Sequence, residues 1–554
     1  MTSPEAEATQ RRVLTAGDRA LLVELPDLDG ALAYFDALTL AELAGVTEVV
    51  PAARTVLVRF DPLLVSVGDL AAELAGLEVS EAAAGEGKVV EIGVHYNGED
   101  LAEVADLLGL TEQQVIDAHT GTEYRVAFGG FAPGFAYLSD GDPVLDVPRR
   151  SSPRTRIPPG AVALAGTFSA VYPRESPGGW QIIGQTDLVM WDLERDPPAT
   201  LQPGDRARFF EAPPVEPVET QTSTSSVDDQ PAEPVETPSP NEPVEATASV
   251  SSTSDEPSSQ PTPGAPTIEI ISPGALALIQ DDGRPGLAGL GVAASGALDR
   301  RSLHTANRLV GNRVNAAAIE FSFGGKIRAH GDVVVAAAGE ELELTITRAD
   351  ERVVPVLGQH PVWLQEGDSL AIMPIQGARA YLAVRGGFDV PEVLGSRCTD
   401  TMSRIGPDVL MPGATLGIGS VPAGDLVADS APWPGRLSDD VVELPLLLGP
   451  REDWFTPEAL DLLFEQVWTV TPRSDRVGLR LKGEQPLTRA VDGELPSEGA
   501  VAGALQIPAE GQPVLFLSDH PVTGGYPVVA VLHSSALDTA GQLRPNAKVR
   551  FTKA

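Results

Sequence analysis

Lysine, cysteine and aromatic residues are scarce in this chain. Of its 554 residues one is cysteine (Cys398), and Phe, Trp and Tyr together make up 5%. One cysteine excludes an intramolecular disulfide and argues against a structural zinc site. The seven histidines (95, 119, 304, 330, 360, 520, 533) show no metal-ligand spacing, so no metal site is expected. The lysines are Lys88, Lys326, Lys482, Lys548 and Lys553, none beside a methionine, so no Met-Lys-Met biotin attachment site is present. Gly87-Lys88 is followed by Val89 and Gly325-Lys326 by Ile327, so a GxxxxGK[ST] phosphate loop is missing. A GxSxG nucleophile elbow is missing too.

Positive charge is also in short supply. Lys and Arg number 39 against 78 Asp and Glu, a formal net charge of -39 and a pI near 4.4. That argues against nucleic acid, whose phosphates need a basic face, and against an anionic membrane surface. No apolar run approaches the ~20 residues of a spanning helix. The opening MTSPEAEATQRR lacks the apolar stretch of a secretory signal. These features fit a cytoplasmic protein.

Residues 211–266 hold no aromatic, no Lys and no Arg, but 11 acidic residues and four PVE tripeptides. Such a segment cannot bury enough apolar surface to offset the entropy of ordering, so it is expected to be a disordered acidic linker. It separates two globular halves. In the first, residues 1–87 read as a small α/β sandwich of strand, helix, strand, helix, with Gly45 as a helix stop. Residues 88–210 read as a β-barrel or sandwich with one helical stretch around 101–118. In the second half, residues 267–437 and 438–554 read as two β domains. Helices are expected from the N-cap Asp299 to Gly311 and after Thr456-Pro457. GGWQIIG (178–184) precedes LQPGDRARF (201–209), and GGYPVVA (524–530) precedes LRPNAKVRF (543–551). The shared order predicts that the halves carry related barrels. The fold class expected is α+β, mainly β.

Three stretches suggest chemistry. FGGFAPGFAYL (128–138) sets aromatics among glycines, a pattern for a flat-walled pocket approached closely by backbone: Phe128, Gly130, Phe131, Pro133, Gly134 and Phe135. PRRSSPRTRIPPG (148–160) gathers Arg149, Arg150, Arg154 and Arg156. A guanidinium fork matches carboxylate or phosphate, so the loop is a candidate anion site; the competing reading pairs these arginines with the protein's own carboxylates. SPGGW (176–180) adds Gly178, Gly179 and Trp180. In the second half, 279–312 brings Asp281, Arg284 and Ser295 to the start of a helix capped by Asp299, with Asn307 within it. SDRVGLRLKG (474–483) supplies Arg476 and Arg480. His119 is the candidate for proton transfer, as its ordinary pKa lies near neutrality.

Together these motifs mark a family. GDRALLVE (17–24), GVTEVVPAARTVLVRFDP (45–62), His119 with Tyr124-Arg125-Val126, GGFAPGFAYL, PRRSSPRTRIPPG and SPGGWQIIGQT resemble the B subunit of 5-oxoprolinase, also named KipI or allophanate hydrolase subunit 1. QDDGRPG, SGALDRRSLHTANRLVGN, AYLAVRGGFDVPEVLGSR, SDRVGLRLKG, GALQIPAEGQPV and TGGYP resemble the C subunit, also named KipA or allophanate hydrolase subunit 2. Cys398 stands after GSR where the pattern has Ser. The resemblance implies cyclophilin-like barrels, pairing of the B and C halves within or between chains, and an oligomer. It implies ATP (with Mg) and a third subunit for opening 5-oxo-L-proline to L-glutamate. It also implies two alternatives: a carboxyltransferase acting with biotin carried on another chain, and a KipI/KipA-type regulator of a sensor histidine kinase. His119 and Asp281 are the catalytic candidates under it, and the arginine loop is the anion site.

Overall fold

The computed structural model describes residues 11–79, 87–150, 152, 154–213, 265–356, 358–419, 424, 430–437 and 440–554. The expected acidic linker falls almost wholly at 214–264, outside the described residues. What is described is α+β and mainly β, as the composition and punctuation predict.

The N-terminal layer is a four-stranded antiparallel sheet in the order Arg12–Thr15, Ala20–Glu24, Thr55–Phe60, Val46–Pro51. Helices α1 (Leu28–Ala41) and α2 (Val67–Gly76) cover one face. Period-two alternation splits the strands cleanly. Leu21, Val23, Val56 and Val58 pack with Tyr34, Leu38, Leu70 and Leu74 under the helices. Ala20, Leu22, Val50 and Leu57 point the other way and pack with Ala288, Ala293 and Val522 of the second half. The sheet is therefore a partition between its own helices and the rest of the chain. Each of the two strands expected here is a hairpin: Val46–Pro51 and Thr55–Phe60 turn at Ala52–Arg54, and Arg12–Thr15 and Ala20–Glu24 form a further hairpin ahead of α1. Helix α1 stops before Gly45, because Glu42 already takes the left-handed conformation (φ 44°).

The next body is a seven-stranded sheet in the order Gln181–Gln185, Ala161–Ala165, Phe168–Val171, Ala136–Ser139, Glu123–Gly129, Arg206–Glu211, Val89–Val94. Reciprocal backbone bonds between His95 and Gln185 (2.8 and 2.9 Å) tie its edge strands together. The single helix expected around 101–118 is two: α3 (Leu101–Leu108) and α4 (Glu112–Thr120). Gly109 caps α3 at φ 68°, and Thr111 with Gln114 makes a capping box that restarts the chain as α4.

The second half begins with a sandwich of a six-stranded and a five-stranded sheet around one large aliphatic core. Helix α5 (Arg300–Leu309) lies on the outer face of the five-stranded sheet, packed by Leu303, Ala306 and Leu309 against Ala336, Ala338 and Tyr381. Asp299 caps it, as expected, accepting from the Ser302 N–H at 3.1 Å. The chain ends in a closed barrel: Val442–Leu448, Val528–Leu532, Ala504–Gln506, Val514–Phe516, Gly478–Lys482, Trp468–Val470, Lys548–Lys553. Helix α6 (Pro457–Glu465), capped by Thr456, sits beside it, and the short α7 spans Leu537–Gly541.

The repeat seen in the sequence is a repeat of topology. The strand after GGW (Gln181–Gln185) and the strand in GGYPVVA (Val528–Leu532) hold the same place in their barrels. So do the closing strands Arg206–Glu211 and Lys548–Lys553, each paired in parallel with its barrel's first strand. Going round from that first strand, the seven strands follow the same order in both. Each barrel also carries a small two-stranded ribbon, Arg154–Ile157 with Ser176–Gly178 and Glu498–Gly499 with Thr523–Gly524.

A candidate functional site at the junction of the two halves

The arginine loop is neutralised from within. Asp100, 1% exposed, accepts from Arg150 Nη1 at 2.5 Å, from Arg154 Nη1 and Nη2 at 2.9 and 2.7 Å, and from the Ile182 N–H at 2.7 Å. Glu103 and Glu99 add to Arg150 and Arg154, and Arg156 pairs with Glu175 at 2.6 Å. Only Arg149 is loosely held, 4.0 Å from Glu494 of the second half. An external anion would have to displace carboxylates already seated, so the loop pins the barrel wall and does not present a free cationic fork. This corrects the expectation of an anion site there.

His119 is corrected as well. It is fully buried, with Nδ1 2.7 Å from Tyr96 Oη and Nε2 2.9 Å from Ser169 Oγ, and it packs on Phe209 and Tyr124. Burial pushes its pKa down to about 3. Both ring nitrogens are used inside the core, so this is a structural histidine and not a proton-transfer group.

FGGFAPGF is a seam between the halves. The Phe131 N–H donates to Thr523 Oγ1 (3.1 Å) and the Gly134 N–H to the Leu290 carbonyl (3.2 Å). A Cβ on Gly130 would lie 2.4 Å from Thr523 Oγ1. The glycine therefore admits the other half of the protein and not a ligand. Phe128 and Phe135 join Tyr137, Tyr172 and Trp180 in an edge-to-face and stacked cluster, with Phe131 packed against it and Pro133 buried nearby. Gly178 and Gly179 lie beside it: a Cβ on Gly178 would meet Tyr172 Oη, and the Gly179 carbonyl accepts from the Arg150 N–H.

The second-half candidates converge far better. Arg476, 2% exposed, donates to Asp519 (2.9 and 3.0 Å), to Glu320 (2.6 Å) and to the Gly296 carbonyl (2.6 Å). Asp519 also accepts from Ser295 Oγ (2.6 Å) and from the N–H and hydroxyl of Thr401 (3.0 and 2.6 Å). Despite complete burial, these donors hold the Asp519 carboxyl below its ordinary pKa. Glu320 continues the network to Tyr381, and Asp299 is gripped by both Nη atoms of Arg436 (3.0 and 2.6 Å). Asp281 accepts from Ser396 Oγ (2.6 Å) and the Arg397 N–H (2.7 Å); it holds a loop and has no free oxygen for acid–base work. Arg284 donates to the Cys398 carbonyl at 2.5 Å. Asn307 spends its amide on the Val314 and Ala316 carbonyls, and Arg480 is exposed on a barrel strand; neither joins the cluster.

Above this network opens a cleft of about 670 Å³. Its walls come from residues 16–20 and Arg59 of the N-terminal layer, 294–295, 297–298 and 300–301 of the sandwich, and 501–502, 517–518, His520, 531–535 and 537–538 of the last barrel. Ser295, held at φ 54°, is the one sequence-predicted site residue on its surface. The sequence reading missed Arg59, Arg300 and His520. Arg59 donates to Glu48 (2.9 Å) and to the Ala500 carbonyl (3.0 Å), and its Nε is buried with no partner among the described residues. His520 Nδ1 lies 2.8 Å from the Pro521 carbonyl, which makes Nδ1 the protonated nitrogen and leaves Nε2 a lone-pair acceptor with no partner among the described residues. Burial, with the nearby Arg59 charge, lowers its pKa to about 4, so the ring is neutral at pH 7. Asp519-His520-Pro521 was the available signal: one residue faces the buried network and the next faces the cleft.

Other bonds fasten the halves around this cleft. Asp18 accepts from the Ser534 N–H and hydroxyl (2.9 and 2.6 Å), and Arg451 bridges Glu24 of the first half (3.0 Å) and Glu498 of the second. The fold and site thus define a class: two related barrels, each with a companion layer, closed on one another around a shared polar cleft.

Comparison with known proteins places the class in a family. Residues 11–201 match the model "Carboxyltransferase domain, subdomain C and D", and residues 290–553 match "Carboxyltransferase domain, subdomain A and B". The C subunit of 5-oxoprolinase from Escherichia coli is 33% identical over 296 residues, 52% of this chain and 91% of that protein. The B subunit of 5-oxoprolinase from Escherichia coli is 41% identical over 175 residues, 31% of this chain and 80% of that protein. Urea amidolyase of Lachancea kluyveri is 34% identical over 51% of this chain, but the match spans only 17% of that longer protein. The solved structure of TTHA0988 covers 97% of this chain and 100% of its own, at 33% identity and TM-score 0.77. The chain belongs to the carboxyltransferase-domain family, in the form that fuses a half similar to the 5-oxoprolinase B subunit to a half similar to the C subunit. Among the described residues no helix is long and apolar enough to cross a membrane.

Proposed function

We propose that the chain is the fused B and C component of an ATP-dependent 5-oxoprolinase, opening 5-oxo-L-proline to L-glutamate in the cytoplasm together with a separate third subunit. The observation that carries the reading is that relatives named as the B and C subunits of 5-oxoprolinase are matched over most of their own lengths, and that the two halves close around one cleft. Covalent fusion favours parts that work as a unit, because it raises their effective concentration. Among the described residues no three His, Cys, Asp or Glu side chains converge, and Asp281, Asp299 and Asp519 are filled by protein donors, so none of these carboxylates is free to hold Mg-ATP. In this reading the nucleotide belongs to the third subunit, and this chain binds and orients the small substrate.

A second reading is favoured by the urea amidolyase relative: carboxyl transfer to a urea-like amide, with biotin on another chain. The deciding experiment mixes the chain with a third-subunit protein and ATP and measures phosphate and glutamate. Release of both in step, only with 5-oxo-L-proline and both proteins present, supports the first reading. No release in any combination, with carboxyl transfer from carboxybiotin to urea, would replace it with the second.

A further inference from the structure

A second cavity, a groove of about 430 Å³, is made by the second half alone. One side is helix α5, which turns Arg301, His304, Thr305 and Arg308 towards it. These positions run i, i+3, i+4, i+7, one face of a helix; the buried face carries Leu303, Ala306 and Leu309. The facing wall is the strap at 430–437, through Pro432 and Pro434. The strap is pinned by the Ala431 N–H on the Gln359 carbonyl (3.0 Å) and by Arg436 on Asp299 and Glu340 (2.6 Å each). Among the described residues no Asp or Glu lines the groove. From outside it, Asp538 takes Arg301 Nε (3.1 Å) and Asp282 takes His304 Nε2 (2.7 Å). Arg308 makes no ion pair among the described residues and donates to Thr305 Oγ1 (3.3 Å). Gln359, 1% exposed and held at φ 54°, donates to the Gly339 carbonyl (3.2 Å), and its Oε1 has no partner among the described residues. The groove fits a ligand with two anionic groups, a free N–H and an apolar stretch between them.

We propose that this groove is the docking site for the chain's own acidic segment, through Glu-Pro-Val-Glu at 242–245. The groove consists wholly of described residues, and the segment lies outside them. Glu-Pro-Val-Glu occurs at 216–219, 233–236 and 242–245, within a stretch that holds 11 acidic residues and no Lys or Arg. In the polyproline II conformation that proline favours, a rise of ~3.1 Å and three residues per turn put its two glutamates on one side, ~9 Å apart. Arg301 and Arg308 stand seven residues apart on helix α5, ~10.5 Å along its axis at ~1.5 Å per residue. One carboxylate meets each guanidinium, Pro-Val lies against Pro432 and Pro434, and a backbone N–H, which polyproline II leaves unbonded, donates to Gln359 Oε1. The segment also reaches. The described chain resumes at Ala265, and Pro266 lies against Gly331, just before strand Val333–Gly339. Gly339, at the far end of that strand, lines the groove, and six strand residues span ~20 Å. From Glu245 to Ala265 is 20 residues of chain, which extend to ~66 Å at most. The docking is independent of which reaction the chain performs.

The test is the distance between two spin labels on the full chain, at Ala246→Cys and at Asn315→Cys, an exposed position beside Val314 of the groove. Cys398 is fully buried and takes no label. A short, narrow distance is expected. It should vanish in Arg308→Glu, in a chain with glutamine at Glu216, Glu219, Glu233, Glu236, Glu242 and Glu245, and in ~1 M salt, where charges are screened beyond ~3 Å. Arg313→Glu reverses an exposed cation outside the groove and should leave the distance in place. A second arm titrates the six-glutamine chain with a fluorescent peptide, Asn-Glu-Pro-Val-Glu-Ala. Moving its glutamates one residue closer together, or Arg308→Gln in the chain, should each weaken binding about 5-fold, the scale of one exposed ion pair. Arg308 is exposed, so these variants keep the fold. No short distance, a short distance that survives Arg308→Glu, or one lost equally in Arg313→Glu would overturn the docking. Equal affinity for the two peptides would overturn the pairing of glutamates with arginines. Peptide binding without a short distance within the chain would assign the groove to another protein's acidic segment and overturn the proposal.

Discussion

In the first barrel His119 sits at the centre of the core with both nitrogens bonded to Tyr96 and Ser169. In the second barrel His520 keeps one nitrogen bonded and turns the other edge to a cleft. The arginines divide in the same way. Two of the four in the first barrel's ribbon loop, Arg150 and Arg154, are gathered on Asp100 at its edge, while near the second barrel Arg476 anchors a sealed network and Arg300 lies exposed on the cleft. The strand order is common to both barrels, so topology does not decide which one carries a site. The deciding feature is which loops meet the other half of the chain. The 517–520 segment of the second barrel meets the N-terminal layer and opens a cleft; the FGGFAPGF loop of the first meets Leu290 and Thr523 and closes a seam.

The comparison breaks most sharply at the buried carboxylates. Asp519→Ala would strand Arg476 inside the protein with half its partners gone, and a loss of about 3–5 kcal/mol is expected in urea unfolding. Asp100→Ala frees two arginines that are half-buried and can turn to water, so about 1–3 kcal/mol is expected. If the two substitutions cost the same, the contrast between a sealed network and a ribbon-edge clamp is wrong.

Acid sharpens the comparison next. Both histidines are buried neutral, with pKa values lowered to about 3 (His119) and about 4 (His520) from 6.5. The unfolded chain therefore binds protons that the folded chain refuses. Their contribution is fully present above about pH 6.5 and is lost as pH falls through that window, at up to about 1.4 kcal/mol per pH unit for each ring. His119→Phe should flatten the acid limb of a stability–pH curve without altering binding to the chain. His520→Phe should flatten it too, by a smaller amount, because its pKa is lowered less. An acid limb unmoved by His119→Phe would show that the ring is not held neutral.

Much of this was legible in the sequence, and the failures have definite causes. The barrels, the helix caps at Asp299 and Thr456 and the topological repeat follow from local rules: alternation, capping chemistry and repeated turn motifs. The convergence of Ser295, Asp299 and Arg476 was partly visible because their motifs are dense in charge. Arg59 and His520 were missed because each lies in an ordinary strand or turn, and only the packing of three separate segments makes a cleft of them. The arginine loop misled for a related reason. Its charge is plain in the sequence, but its neutraliser is Asp100, about 50 residues upstream, and sequence spacing does not report that pairing.

The smallest expected effect separates the charge of that loop from its clamp. Arg156 is three-quarters exposed and, among the described residues, pairs only with half-exposed Glu175. Exposed pairs contribute about 0–1 kcal/mol, so Arg156→Ala should leave stability within that range and leave both turnover and 5-oxo-L-proline affinity unchanged. Arg154→Ala removes bonds to a buried carboxylate that keeps Arg150 and the Ile182 N–H, so a measurable loss of stability is expected, again with ligand affinity unchanged. A loss of affinity in Arg156→Ala would return the anion site to the loop where the sequence first placed it, and would leave the junction cleft as a structural gap between two halves.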